Sequence, residues 1–188
     1  MKLKFLLFVI TLILMDQCVK AVVHFNMPLH SEISLLGDFI KLYHIENPGM
    51  AFGINFDYKY TKLFLSLFRL IASFLIGAYL IQLLDKKSNL TLLFCVSLIL
   101  SGAIGNVIDS VFYGVLYDNA PVSAPFSLFN GQVIDMFYVD IWEGYISESV
   151  PIIGGTYLSL WPVFNLADSY IFIGVTILLI FQNKVLDN

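Results

Sequence analysis

The sequence predicts an all-α integral membrane protein, and three observations carry the prediction. First, 59% of the 188 residues are hydrophobic and only 13% are charged, with a mean hydropathy of +0.83. Soluble domains are nearer half apolar and about a quarter charged. Second, four apolar runs, at about 4–24, 61–84, 90–112 and 164–186, are long enough to cross a bilayer. A spanning helix needs about 20 residues, and a helix pairs its own backbone groups where water cannot. Third, the lysines are one-sided. Lys2, Lys4, Lys86, Lys87 and Lys184 flank one set of run ends, whereas the long connecting segments 25–60 and 113–163 hold only Lys41 and Lys59. The positive-inside rule then places both termini in the cytoplasm and both long loops outside.

The first run opens like a signal peptide, with "MKLK" ahead of "FLLFVITLILM", but Asp16 and Gln17 stand where a cleavage site wants small residues. It reads as a retained helix, so 1–188 reads as a single membrane-embedded domain. In the outer loops, "AFGINFDYKY" (Ala51 to Tyr60) and "VIDMFYVDIW" (Val133 to Trp142) carry β-branched and aromatic residues that suit short strands or interface-hugging segments. Pro121, Pro125, Asn130 and Gly131 mark the stretch between Asp118 and Asp135 as a loop.

Several function classes drop out. No basic cluster suggests nucleic acid, and 113–163 holds five acids with no Lys or Arg. Cys18 and Cys95 fall in apolar runs without a CxxC spacing, and are expected to be buried, inert thiols. His24, His30 and His44 lack HExxH-type spacing, so neither a metal site nor a cofactor is expected.

The polar residues inside the runs are the informative ones, because ionisable groups in a membrane are costly and by default mark function. Asp16, Gln17 and Lys20 lie near the outer end of helix 1, Asn106 and Asp109 near the outer end of helix 3, and Asn165 and Asp168 at the outer start of helix 4. Each Asn stands three residues before its Asp, on the same helix face. Structural roles compete: Asn165 as an N-cap, Asp16–Lys20 as an ion pair, Asn106 and Asp109 as interhelical glue. Asp168 has no nearby basic residue in sequence and needs a partner from elsewhere.

These blocks resemble lipoprotein signal peptidase, the bacterial signal peptidase II family. "DQCVK" (Asp16 to Lys20), "NPGMAFGI" (Asn47 to Ile54), "GAIGNVID" (Gly102 to Asp109) and "FNLADSYI" (Phe164 to Ile171) match the family's D-Q-x-x-K, N-x-G-x-A-F, G-A-x-G-N-x-x-D and F-N-x-A-D-x-x-I in order along nearly the whole chain. The resemblance implies four transmembrane helices with a small extracytoplasmic β cradle and a surface amphipathic helix. It implies a globomycin-sensitive, metal-free aspartic endopeptidase of the bacterial inner membrane, its active site toward the periplasm. Such an enzyme acts, here as a monomer in membrane lipid, on diacylglyceryl-modified prolipoproteins and cuts before the lipidated cysteine. One catalytic aspartate is then Asp168. Asp16, Gln17, Lys20, Asn47, Gly49, Asn106, Asp109 and Asn165 become substrate-binding or supporting residues.

The second aspartate closes a G-x-V-x-D-F motif after helix 3, and two acids compete for it. The family's usual spacing from G-N-x-x-D points to Asp118, in "GVLYD". The pattern points to Asp135, because "GQVIDMF" places Gly131, Val133 and Asp135 in register. Leu116 replaces the expected Val ahead of Asp118, and Asn119-Ala120-Pro121 then turns the chain away. Asp135 is the reading adopted, with 115–130 as an insertion. The sequence departs from the family in having Ser110 where Arg is frequent, and Met136 for the final Phe.

Two close carboxylates cannot both ionise cheaply, so such a pair shares a proton and can activate water. The rival class is a small transporter or channel component. It would also explain intramembrane acids, but transporter sites commonly lie near the midplane and between repeats.

Overall fold

The computed structural model describes residues 1–49, 60–149, 155, 157–159 and 161–182. Its elements are α1 (Lys2–Asn26), β1 (Glu32–Leu36), β2 (Ile40–Asn47), α2 (Thr61–Asp85), α3 (Leu90–Ile108), a π-helical segment (Asp109–Tyr113), α4 (Gly114–Leu116), β3 (Val133–Val139), β4 (Glu143–Tyr145), β5 (Tyr157–Ser159) and α5 (Leu166–Ile180). Among the described residues, three helices are long and apolar enough to cross a membrane: α1, α2, and the continuous run from α3 through α4.

The expected fourth span is described only in part. α5 has 15 described residues. That is about 22 Å at 1.5 Å per residue, short of a hydrocarbon core of about 30 Å. It starts two residues later than expected because Asn165 caps it, and 183–186 lie outside the described residues.

α3 is the central helix. Of its most apolar stretch 67% is buried, against 22% for α1 and 17% for α2, whose remaining faces are exposed. Small residues let α5 approach it. A Cβ at Gly102 would overlap the Ala167 carbonyl oxygen, and one at Gly105 would stand 2.7 Å from Asp16 Oδ2 and 3.1 Å from the Ala167 methyl. Such small-residue contacts are how helices associate in lipid, where no hydrophobic force separates helix from solvent. Near the other end, Val9, Leu80, Leu83, Leu84, Leu93 and Val96 form an apolar cluster between α1, α2 and α3.

A three-stranded antiparallel sheet, in the order β1-β2-β3, sits at the polar end of the bundle. β3 falls within the expected "VIDMFYVDIW" strand. β2 pairs Ile45 with Asp135 and Asn47 with Val133, with an irregularity between Leu42 and Ile45. The proposed strand in "AFGINFDYKY" lies, apart from Tyr60, outside the described residues. β4 and β5 make a separate two-stranded ribbon. The fold is therefore helical with a small sheet, as the cradle reading requires, while no amphipathic surface helix occurs among the described residues of the outer loops.

α3 runs past its expected end at 112 because the helix widens to π geometry at Asp109–Tyr113 and continues to Leu116. π segments are rare and favour functional sites. Here the returning loop docks on that segment: Phe129 N–H donates to Val111 O at 2.9 Å and Gly131 N–H to Ser110 O at 3.0 Å. The stretch expected as an insertion is closed at its neck. Asn119 Nδ2 donates to Gln132 O at 3.0 Å, Gln132 N–H to Asn119 Oδ1 at 3.0 Å, and Gln132 Nε2 to Asn119 O at 2.8 Å. Both cysteines are free. Cys95 is buried, but Cys18 is exposed on the outer face of α1, correcting its expected burial.

A Gly105→Val substitution is expected to lower thermal stability in detergent by about 1–3 kcal/mol, the usual cost of overpacking a tight contact. Gly77→Ala serves as the control, since its Cβ would meet only Leu100 Cδ1 at 3.7 Å. Differential scanning fluorimetry on the pair measures the difference.

Candidate active site

α1 delivers Asp16, Gln17 and Lys20 to the polar end of the bundle, and the outer end of α3 delivers Asn106 and Asp109. Lys20 Nζ lies 2.9 Å from Asp16 Oδ2 and 2.7 Å from Asp109 Oδ2, all three side chains being fully buried. It also donates to Asn106 Oδ1 at 3.1 Å. Gln17 Nε2 donates to Asp109 Oδ1 at 2.9 Å and Asp16 Oδ2 at 3.1 Å, and its Oε1 accepts from Tyr113 Oη at 3.0 Å. Asp16 Oδ1 accepts the Ala167 N–H at 2.9 Å, which fastens the first turn of α5 to α1. Each carboxylate therefore has an ammonium and at least one further donor, the condition for keeping charge in a dry interior.

Asn106 passes this anchor to the acids beyond it. Its Oδ1 accepts from Lys20, so its Nδ2 points outward and donates to Asp168 Oδ1 at 2.7 Å. Asn165 does the same from α5. It is the N-cap, accepting the Asp168 N–H at 2.9 Å in a capping box, and its Nδ2 donates to Asp135 Oδ1 at 2.6 Å. Asn47 on β2 donates to the other oxygen, Asp135 Oδ2, at 2.9 Å. Asp135 and Asp168 thus meet on a bridge of amides, Asp135 buried and Asp168 half-buried. Burial first, and the charge of Asp168 second, push the Asp135 carboxyl up to about 7, against the opposing pull of the Asn47 and Asn165 hydrogen bonds.

All ten residues singled out from the sequence converge here: Asp16, Gln17, Lys20, Asn47, Gly49, Asn106, Asp109, Asp135, Asn165 and Asp168. The competing structural readings are also true. Asn165 is an N-cap, and Asp16–Lys20 is an ion pair. Asp118 is elsewhere, exposed on the loop with φ at +53°.

The polar residues of α2 were not singled out from the sequence. Arg69, the chain's single arginine, reaches across from α2 and donates from Nη1 to Ser110 Oγ at 2.9 Å. Ser110 in turn donates to Asn106 O at 2.8 Å. The serine that replaces the family's frequent Arg is therefore the acceptor for an arginine from the neighbouring helix. Gly49, with φ at +91°, lies against that guanidinium, where a Cβ would stand 3.0 Å from Nη2. Its N–H donates to Asn47 Oδ1 at 2.7 Å, so Asn47 links Asp135 to the Arg69 pocket. Lys62, Ser66, Arg69 and Ser73 lie on one face of α2. Lys62 is buried, with no hydrogen bond from its ammonium among the described residues. The available signal was their 4-3-4 spacing in an otherwise apolar run.

The sequence model of the family Peptidase_A8, signal peptidase (SPase) II, matches residues 8–183. The lipoprotein signal peptidase of Amoebophilus asiaticus (strain 5a2) is 46% identical over 171 residues, covering 89% of this chain and 72% of that protein. That of Porphyromonas gingivalis (strain ATCC BAA-308 / W83) is 40% identical over 185 residues, covering 92% and 79%. A solved bacterial membrane enzyme, determined by the in meso method at 2.3 Å, shares the fold with a TM-score of 0.64 at 23% identity, over 96% of this chain and 88% of that one. Four motif blocks that fold onto one polar cluster, and a family match along almost the full length, lead to one conclusion: the chain belongs to the signal peptidase II family and is an aspartic-type peptidase.

Proposed function

We propose that this chain removes the signal peptide from diacylglyceryl-modified prolipoproteins, cutting before the lipidated cysteine, with Asp135 and Asp168 as the catalytic pair. The observation that carries the reading is the amide bridge. Asn165 donates to Asp135 at 2.6 Å and caps the helix turn that bears Asp168, and Asn106 holds Asp168 at 2.7 Å.

The chemistry follows from one proton shared by two carboxyls. The ionised member takes a proton from water as the water oxygen attacks the scissile carbonyl carbon. The protonated member gives its proton to the carbonyl oxygen. Collapse of the tetrahedral intermediate breaks the C–N bond, and the departing amine takes a proton from the pair. Arg69 stands in for the cation that the family's motif frequently carries after the α3 aspartate, now supplied from α2. The substrate's acyl chains lie against the exposed apolar faces of the helices. A transporter reading is disfavoured because the acids gather at one end of the bundle and no helix repeat is present.

Cleavage of a diacylglyceryl-modified prolipoprotein by the purified chain in detergent is the direct test. Asp135→Asn and Asp168→Asn are each expected to reduce turnover by at least a hundredfold while the protein still inserts, and Asp118→Ala to stay near the parent rate. Cleavage by Asp135→Asn with loss in Asp118→Ala would move the pair to Asp118.

The raised Asp135 gives a pH dependence of definite sign. Below about 7 it holds its proton and the pair has an acid to donate; above about 7 Asp135 is charged and that acid is lost. The value of kcat/KM is expected to fall as pH rises through about 7. Asn47→Ala removes a hydrogen bond that favours the ionised form, so the alkaline limb should move to higher pH in a rate profile.

Both termini face the cytoplasm in this reading, and the pair faces the periplasm, because the flanking lysines lie at the opposite end. Single cysteines placed at 120–128 are expected to react with a membrane-impermeant reagent in intact spheroplasts. Reaction only after lysis would reverse the orientation.

A further inference from the structure

Side chains from two separate elements meet behind the sheet. His24, near the end of α1, and His44 and Glu46, on β2, each bring one ligand atom to within 4.8 Å of the others. His44 is buried, at 3% exposure. Its Nδ1 lies 2.8 Å from the Met27 carbonyl oxygen, which fixes that nitrogen as the N–H donor. The tautomer so defined leaves Nε2 as a bare lone pair. Nε2 is buried and makes no hydrogen bond among the described residues, and neither does His24 Nδ1. Two buried imidazole nitrogens without a hydrogen-bond partner among the described residues, in a cluster with one carboxylate, are costly as they stand. Both become ligands if a cation sits between them.

The surroundings hold the three groups in place. His44 is fixed by its main chain too, donating to Ser31 O at 3.1 Å and accepting from His30 N–H at 2.8 Å. The His24 ring stacks on Tyr117, just past α4, with centroids 4.0 Å apart. An imidazole whose second nitrogen is bound to a backbone carbonyl is the usual second shell of a metal-ligating histidine. Two imidazoles and one carboxylate form a nitrogen–oxygen donor set that suits a first-row divalent ion, zinc above all, with a fourth position for water. Tetrahedral zinc at ~2.0–2.1 Å from its ligands sets them roughly 3.3 Å apart. The half-buried His24 and Glu46 must therefore move inward slightly, while His44 stays.

We propose that His24, His44 and Glu46 form a structural zinc site that ties the end of α1 to β2. Strand residues alternate between faces. Glu46 pairs with Ile134 on the face that packs against Val23 and Met27, while Asn47 and Asp135 point to the catalytic side. The metal lies on the back of the strand that carries Asn47, outside the catalytic pair. Its role is to hold that strand against α1. Sequence spacing could not reveal it, because α1 and β2 meet only in the folded chain.

The test uses the full chain, purified in detergent without a histidine tag and stripped with a chelator. Titration with Zn²⁺ against a chromophoric competitor is expected to show one tight equivalent. Co²⁺ should give visible d–d bands of a tetrahedral nitrogen–oxygen site, and Zn²⁺ should raise the midpoint of thermal unfolding. Glu46→Gln keeps volume, and His24→Gln changes a half-buried group; each should weaken Zn²⁺ by more than the roughly 10–100-fold that loss of an outer-shell partner costs. His30→Gln, at the exposed histidine outside the cluster, should bind as the parent does. Absence of a stoichiometric site in the parent, or binding that survives both Glu46→Gln and His24→Gln, would overturn the proposal.

Discussion

Lys20 carries an ammonium into a fully buried position, and the two carboxylates that neutralise it come from different helices. Asp16 lies one turn away on α1 and Asp109 lies at the end of α3. Removing one partner from such a cluster leaves a charge stranded at a cost of about 3–5 kcal/mol, so the three groups hold the helices in a single relative register. Asp16 extends the constraint to α5 through the Ala167 amide. The rest of the site is placed by this contact: Asn106 takes its orientation from Lys20, and Asp168 takes its donor from Asn106.

The two acids arrive by different routes and sit in different surroundings. Asp135 comes on a strand, buried, with an amide donor at each carboxylate oxygen. Asp168 comes in the first turn of a helix, where the dipole favours negative charge. Asparagine suits the positions between them because one amide can accept from a cation or a backbone N–H and donate to a carboxylate at once. Asn47, Asn106 and Asn165 each do so from a separate element. The preparation for chemistry is spread over β2, α3 and α5, and the tight Gly102 and Gly105 contacts are what let α5 come close enough to share it.

Much of this was legible in the sequence, for identifiable reasons. The three long helices show as apolar runs because lipid asks little else of them, and their bounds shift by only a few residues. The polar blocks stand out because charge is rare in such runs. The placement of Asp135 in the polar cluster, with Asp118 outside it, follows the pattern and the turn chemistry after Asp118. The strands β1 and β2 were not legible. Every β1 residue is exposed, so no inside–outside alternation marks it, and β2 mixes Lys41, His44 and Glu46 among its apolar residues. The start of α5 lies two residues later than expected because hydropathy does not see a cap. Arg69 was overlooked because its partner, Ser110, reads as a missing residue until the two helices are side by side.

The clasp between Asn119 and Gln132 has a consequence for how such a chain can change. The excursion between them leaves the bundle and returns at one point, and its return is docked on the π segment of α3. Closing a loop costs little more as it lengthens, about 0.6 kcal/mol for each doubling. Residues can therefore be gained or lost beyond the clasp without moving the strand that follows. The span between Asp109 and Asp135 is free to drift in evolution, while the spacings within the helices, where each added residue turns a side chain by about 100°, are not.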